Sequence, residues 1–100
     1  MSEWIYFLHS PRLDFAATIS PEEEKVFGEH FAYLKKLHES QVLILAGPTL
    51  GSVNTGVVIF RAPDEDAARR IMNDDPTIRE KIVTGELRRF HVSLVEGRNP

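Results

Sequence analysis

Residues 20–48 read SPEEEKVFGEHFAYLKKLHESQVLILAGP, and this stretch decides how the rest of the chain is interpreted. Ser20 can cap a helix, Pro21 suits its first position, and Glu23 stands where a capping box needs an acid. The apolar residues that follow recur at helical spacing and fall in one arc roughly 120–160° wide. The members of this arc are Val26, Phe27, Phe31, Leu34 and Leu37, with Tyr33 at its border. The pattern predicts an amphipathic helix over residues 20–40.

His30 falls near the middle of this apolar arc. One interpretation is a core histidine whose ring nitrogens bond to the backbone or to a buried acid. The other is a general acid or base that lines a pocket between the helix and the sheet. Histidine suits that task because its unperturbed pKa, ~6.5, lies near working pH. The residues alone leave both interpretations open.

Outside this helix the sequence predicts four strands and a second helix. The strands are segments rich in branched and aromatic residues: 3–9, 42–46, 56–61 and 87–95. In the last strand Phe90 begins one apolar alternation, which places His91 on the face away from the helices. Acidic residues at 64–66 suit a helix start, and that helix must end before Pro76. Residues 10–19 are predicted as a loop and 77–83 as a short extra helical turn.

The predicted order is βαββαβ, with each helix inside a crossover between two strands. Right-handed crossovers place both helices on one face of a four-stranded antiparallel sheet, the α+β ferredoxin-like arrangement. We therefore expect one domain over residues 1–100. The first three strands are apolar on both faces, and two helices cover only one of them. The second face is expected to pack on another copy of the chain as a homodimer, and a monomer with an adhesive sheet is the less favoured alternative.

The composition argues against several classes of function. The net charge of −3 gives no electrostatic reason to expect nucleic acid or an anionic membrane as a partner. An RNA-binding sheet of this topology would also need paired stacking aromatics, which residues 56–61 lack. The absence of cysteine excludes disulfides, thiolate metal sites and a cysteine nucleophile. No stretch approaches the ~20 apolar residues of a membrane span or resembles a signal peptide, so we expect a cytoplasmic protein.

Asp75, in the sequence Asp74-Asp75-Pro76, is the carboxylate that we expect near His30. If the second helix packs beside the first, its last turn brings Asp75 towards the histidine. A carboxylate on one ring nitrogen would fix the tautomer and stabilise the imidazolium. An Asp-Pro pair is also a common end of a helix, and that interpretation stays open.

Three further positions are candidates for holding a substrate. Arg12 could bind a carboxylate, or it could be an ordinary exposed arginine. Gly47 and Pro48 could expose backbone N–H groups to an anionic ligand, or they could form a simple turn. The other histidines are expected to be partly exposed polar residues: His9, His38 and His91. Because no clustered carboxylates accompany a histidine pair, neither a metal nor another cofactor is expected.

Several short motifs, weak alone, occur in an order that resembles the YciI family (YCII-related domain). They are HFAYL at 30–34 with Leu37, LAGP at 45–48, Gly56, residues 65–68 and Asp75-Pro76, with a subgroup pattern at 11–12, 15 and 20–24. The resemblance implies a ferredoxin-like fold that dimerises as an α/β barrel. It also implies an active-site pair, which falls on His30 and Asp75. Ser40-Gln41 departs from the glycine that usually follows the first helix of the family.

These observations support two hypotheses of different classes. The leading one is a cofactor-free lyase, isomerase or dehydrochlorinase that acts by proton transfer on a small cyclic or aromatic substrate. In it His30 moves the proton, Asp75 orients it and balances its charge, and Arg12 with Gly47 and Pro48 holds the substrate. The alternative is a non-catalytic small-molecule-binding or accessory module in which the same pair binds a ligand without chemistry.

Overall fold

The computed structural model describes residues 1–97 and shows a four-stranded antiparallel sheet with helices on one face. The strands are β1 (Ser2–His9), β2 (Leu43–Pro48), β3 (Thr55–Ala62) and β4 (Thr84–Phe90). The helices are α1 (Phe15–Thr18), α2 (Pro21–Glu39), α3 (Glu65–Asn73) and α4 (Pro76–Arg79). The strand order β2-β3-β1-β4 is that of the ferredoxin-like α+β fold, so the predicted fold class is confirmed.

Strand β1 lies at the centre of the sheet, antiparallel to both β3 and β4. Successive side chains of a strand point to opposite faces, and Trp4, Tyr6 and Leu8 point towards the helices. Phe60 stands opposite Trp4 and Val58 opposite Tyr6, so two neighbouring strands supply one continuous apolar layer. Tyr6 is therefore in the middle of the core, where its hydroxyl needs a partner.

Helix α2 begins as its sequence predicts and spans 19 residues. The Ser20 side chain accepts from the Glu23 N–H, and the Glu23 carboxylate accepts from the Ser20 N–H. Leu34 is buried in the core, but Phe31 is 63% exposed, so its predicted place in the buried stripe is wrong. Phe31 lies at the edge of the apolar arc of α2, and only the central part of this arc packs on the sheet. Among residues 1–97 neither this helix nor another is long and apolar enough to cross a membrane.

Strand β4 lies earlier in the chain than predicted, and its faces are reversed. Leu87 stands opposite Tyr6 and packs against the core. Phe90 stands opposite Glu3 on the other face and is 40% exposed, and His91 follows the end of the strand. The segment has apolar residues in both phases of the alternation: Val83 and Leu87 in one, and Phe90, Val92 and Leu94 in the other. Pairing with β1 selects the first of them, and a shift of one residue moves every side chain to the other face.

Two local predictions about loops also differ from the structure. Gly47 and Pro48 are the last residues of β2, opposite Val57 and Gly56, and do not form a turn after it. Proline is tolerated there because β2 is an edge strand, where one side of the backbone has no ladder to complete. The predicted loop over residues 10–19 contains the short helix α1, which an N–H of Asp14 ties to the carbonyl of Ser52 at 2.8 Å.

The face of the sheet away from the helices is largely apolar. Ile5 stands opposite Ile59 and Phe7 opposite Val57 on this face. Leu45 of the edge strand stands opposite Ile59 and is 55% exposed. The predicted two-sided apolar character of the first three strands is therefore present in the structure.

Candidate functional site

Asp75 is placed by the sequence Asp-Pro-Thr between α3 and α4. The residue before a proline is driven out of the helical region, and Asp75 is accordingly extended, with φ −61° and ψ 124°. Pro76 then starts α4 at the position that prolines favour, with Asp75 as its N-cap. The Asp75 Oδ1 atom accepts from the Thr77 N–H at 3.0 Å and from the Thr77 hydroxyl at 2.7 Å. The carboxylate is completely buried.

His30 projects from α2 onto this carboxylate. Its Nδ1 atom lies 2.9 Å from Oδ1 and 2.8 Å from Oδ2 of Asp75. The ring of Phe27, one turn earlier, packs edge-on against the imidazole at 5.6 Å between centroids. The side chain of His30 is 12% exposed, so the ring is held on most sides. Because Nδ1 faces the carboxylate, Nε2 is the nitrogen that remains to act on a ligand.

Tyr6 also contacts this pair, a contact that the sequence does not predict. Its hydroxyl donates to the Oδ2 atom of Asp75 at 2.7 Å, across 69 residues of chain. The alternation of β1 places Tyr6 on the helix-facing side, and a buried tyrosine hydroxyl needs a partner. The need of this buried hydroxyl for a hydrogen-bond partner was the only indication of the contact that the sequence offered. It did not identify Asp75, because the partner depends on how α3 ends.

The electrostatics of the group favour an ionised Asp75 carboxylate. Burial raises the pKa of Asp75, but the hydrogen bond and charge of His30, with the bonds from Tyr6 and Thr77, outweigh burial and hold that pKa below its usual value. Burial raises the pKa of Tyr6 far above its usual range, and the charge of Asp75 raises it further. Tyr6 is therefore a neutral donor and Asp75 an anion.

Arg12 is engaged with the start of α2. Its Nη1 and Nη2 atoms donate to Oε2 and Oε1 of Glu23 at 2.9 and 2.8 Å. Its Nε and Nη2 atoms also donate to the side chain and carbonyl of Thr18, and its guanidinium lies 4.9 Å from the centre of the Phe15 ring. These contacts fasten the first loop to the helix. Phe15 packs in turn on Phe27, which contacts His30.

Gly47 and Pro48 are exposed at the end of an edge strand. None of the hydrogen bonds or ion pairs described for residues 1–97 joins Gly47, Pro48 or Arg12 to the His30–Asp75 pair. A surface hollow lies elsewhere, beside Glu3, Arg89 and His91. Within the described part of the chain no group of three or more His, Asp or Glu residues is placed to hold a metal ion.

The arrangement can accept and return a proton at one atom. In neutral imidazole one ring nitrogen donates and the other accepts. The Asp75 carboxylate fixes the donor on Nδ1, which leaves Nε2 as the basic atom. When Nε2 takes a proton, the adjacent anion stabilises the imidazolium, as in the hydrolase triads but without a nucleophile.

Comparison with known proteins gives a family and a fold. The model of the YCII-related domain family matches residues 6–90. The structure resembles that of 5-chloro-2-hydroxyhydroquinone dehydrochlorinase from Burkholderia phenoliruptrix, solved in complex with 2,5-dihydroxybenzoquinone. The TM-score is 0.66, the sequence identity 18%, and the match covers 88% of this chain and 93% of the other. No curated protein matches the chain in sequence.

Proposed function

Because the chain belongs to the YCII-related domain family, we propose that it is a small-molecule enzyme in which His30 and Asp75 transfer a proton. The reaction is of the lyase, isomerase or dehydrochlorinase type, and the substrate is a small cyclic or aromatic molecule. The observation that carries the proposal is the contact of His30 Nδ1 with both oxygens of a fully buried Asp75. The dehydrochlorinase activity of a protein with the same fold is consistent with this class.

A dehydrochlorination balances with these two side chains alone. His30 Nε2 takes a proton from the substrate, the electrons of that bond form a new double bond, and chloride leaves with the electrons of the carbon–chlorine bond. Asp75 stabilises the imidazolium until the proton passes to water. In an isomerisation the same nitrogen would return the proton to another atom of the substrate. Positioned proton transfer of this kind is typically worth about 10²–10⁴ in rate.

The proposal is tested with chlorinated hydroxyquinols and related quinols, by following chloride release and product absorbance. His30→Gln removes the basic nitrogen, and we expect turnover to fall at least about 100-fold. His38→Gln is the matched control, because His38 is exposed on the same helix. Equal turnover by wild type and His30→Gln would overturn the role of His30. Thermal stabilisation by 2,5-dihydroxybenzoquinone without any product across the panel would favour the non-catalytic binding module instead.

The substrate-binding roles of Arg12, Gly47 and Pro48 stay predictions. The described contacts of Arg12 serve the fold of the first loop, and those of Gly47 and Pro48 complete β2. Arg12→Lys keeps a cation and removes the paired geometry. If Arg12 binds the substrate, this change raises KM for carboxylate-bearing compounds and leaves KM for neutral quinols unchanged.

We further propose a homodimer formed through the sheet face that carries Ile5, Phe7, Leu45, Val57 and Ile59. A second copy of the chain fits this face because a two-fold axis brings the same apolar patch of both copies together. The charged residues of the edge strand β4 would then lie at the rim of the interface. Leu45→Lys is expected to shift the protein from dimer to monomer in analytical ultracentrifugation. Leu50→Lys, at an exposed loop position, is the control. A wild-type monomer at the concentrations of the assay would contradict the proposal.

A further inference from the structure

Tyr6 is a buried titratable residue that proton transfer by His30 and Asp75 does not itself use. We infer that Tyr6 is a positioning residue of the site: its hydroxyl holds the Asp75 carboxylate in one orientation and keeps it an anion, so that His30 alone carries the proton. This inference rests on the proposed function of the His30–Asp75 pair. It adds a third residue from a strand, whereas the pair joins α2 to the start of α4.

The hydrogen bonds divide the carboxylate of Asp75 between two elements. Oδ1 accepts both donors of Thr77, which belong to the same turn as Asp75 itself. Oδ2 accepts the Tyr6 hydroxyl at 2.7 Å, and His30 Nδ1 bridges the two oxygens. Without Tyr6, the carboxylate would be held only by its own turn and by the imidazole that it must orient. Tyr6 is thus the residue of the sheet that fixes the position of the Asp75 carboxylate.

The position of Tyr6 is itself strongly determined. It lies in the central strand, is completely buried, and its ring meets Phe60 edge-on at 5.6 Å between centroids. A phenol in such a place has little freedom to move its oxygen. The sheet therefore sets the place of Asp75 Oδ2 and, through it, the direction in which His30 presents Nε2.

The same contacts decide where the proton can go. A carboxylate offers about four lone-pair sites, and four donor groups from three residues approach them here, with His30 Nδ1–H shared between the two oxygens. Protonation of Asp75 would displace one of these donors and leave it unpaired in the core. Burial raises the pKa of Tyr33 of α2, and the charges of Asp74 and Asp75 raise it further, but the Tyr33 hydroxyl donates to the carbonyl of Ile71. Neither Tyr33 nor Asp74 donates to the Asp75 carboxylate, so the donors that hold it as an anion are those of Tyr6, His30 and Thr77.

The chain supplies a matched pair of variants for the test. Tyr6→Phe removes the hydroxyl that bonds Asp75. Tyr33→Phe removes a hydroxyl that donates at the same distance, 2.7 Å, to the backbone carbonyl of Ile71. Both rings stay, and both proteins lose one hydrogen bond of a half-buried or buried tyrosine. Only the first change removes a hydrogen bond to Asp75.

The primary readout is the carboxyl ¹³C titration of Asp75. We expect Tyr6→Phe to raise the pKa of Asp75, because a bond that lowers it is gone, and to shift the Nδ1–H proton resonance of His30. Tyr33→Phe should leave both at their wild-type values. If Tyr6 had only a structural role, both variants would have a lower thermal midpoint, and Tyr6→Phe would change neither the pKa of Asp75 nor the His30 Nδ1–H resonance. Wild-type values of both signals in a folded Tyr6→Phe protein would overturn the inference.

A second measurement does not depend on how Tyr6→Phe folds. In protein labelled at the tyrosine ¹³Cζ atoms, Asp75→Asn should move the Tyr6 resonance at neutral pH more than the Tyr33 resonance, because Tyr6 donates to Asp75 whereas Tyr33 only senses its charge. An unmoved Tyr6 resonance would also overturn the inference. Neither measurement needs a substrate. The role of Tyr6 can therefore be supported even if the turnover assay of His30→Gln contradicts the proposed function. With a substrate in hand, Tyr6→Phe is expected to lower kcat about 10- to 100-fold, the rate equivalent of one hydrogen bond to a charged group, with little change in KM.

Discussion

Asp75 and His30 stand 45 residues apart in the chain, yet Oδ2 of one lies 2.8 Å from Nδ1 of the other. The contact exists because α2 and α4 pack on the same face of the sheet, where Asp75 begins α4. One side chain thus completes a helix start and orients an imidazole. Its substitution should therefore lower stability and, under the proposed function, turnover as well, and the pH dependence of stability should reveal the contribution of its charge.

Asp75→Asn is expected to lower the free energy of unfolding by about 1.5–3 kcal/mol at pH 7, the usual worth of hydrogen bonds to a charged group. An asparagine can still cap α4, so the fold should persist. The folded-state pKa of Asp75 lies below its unfolded value, so its contribution is present above the unfolded pKa and is lost as pH falls through the folded one. Urea unfolding at pH 7 and at pH 3 should show the difference from wild type shrinking in acid. Asp74→Asn, at the exposed neighbour, is the control. A difference that stays constant with pH would show that the carboxylate charge contributes nothing.

Arg12→Ala is expected to release the carboxylate of Glu23. The hydrogen bonds of Arg12, followed by that of the Ser20 N–H, lower the pKa of Glu23 to about 2. Without Arg12 this pKa should rise towards the ordinary range of glutamate, as measured by carboxyl ¹³C titration. The first loop should also be cleaved faster in limited proteolysis, since the contacts with Thr18 are lost too. Arg69→Ala breaks an exposed pair with Glu65 and should change neither result.

Phe27 and Phe31, one turn apart on α2, should respond very differently to truncation. Phe27 is wedged between Phe15 and His30, and Phe27→Ala is expected to cost roughly 1–3 kcal/mol of stability. Phe31→Ala, at an exposed ring, should stay within about 0.5 kcal/mol of wild type. Urea denaturation of the two variants measures both values. Equal losses would mean that Phe31 is covered in solution by something the single chain does not provide.

Gly56 is required by the close approach of Leu8 across the β1–β3 pair. A Cβ atom at Gly56 would lie 2.5 Å from Leu8 Cδ1 and 3.0 Å from Leu8 Cβ. Gly56→Ala should therefore cost about 1–3 kcal/mol through overpacking. In a Leu8→Ala background the same change should cost less, because the crowded methyl is gone. A double-mutant cycle by urea unfolding measures this coupling, and additive losses would contradict it.

The architecture, and the packing of α2 beside the segment that ends at Pro76, could be predicted because each depends on local signals and general rules. Ser20, Pro21 and Glu23 mark the start of α2, and Pro76 ends the helix before it. Right-handed crossovers then place the two helices side by side. The approach of Asp75 to His30 follows from that placement, without any knowledge of the side-chain contacts.

The features that escaped prediction depend on contacts between distant segments. The choice between the two alternations of β4, which reverses Leu87 and Phe90, is made by the register with β1. The exposure of Phe31 depends on how much of the helical arc the sheet can cover. The partner of Tyr6 lies 69 residues away and is fixed by the turn between α3 and α4. No pattern within a single segment encodes these outcomes.

The double duty of Asp75 bears on how relatives of this fold should be compared. Folding alone would favour an aspartate before Pro76, because its carboxylate opens α4 and pairs with Thr77. If the proposed function holds, a relative without that reaction would still have a structural reason to keep the aspartate. His30, in contrast, takes no part in starting a helix, and its described polar contact is with the buried Asp75 carboxylate. Under the proposed function, the presence or absence of the imidazole at position 30 is therefore more informative than the aspartate about whether a relative catalyses the reaction.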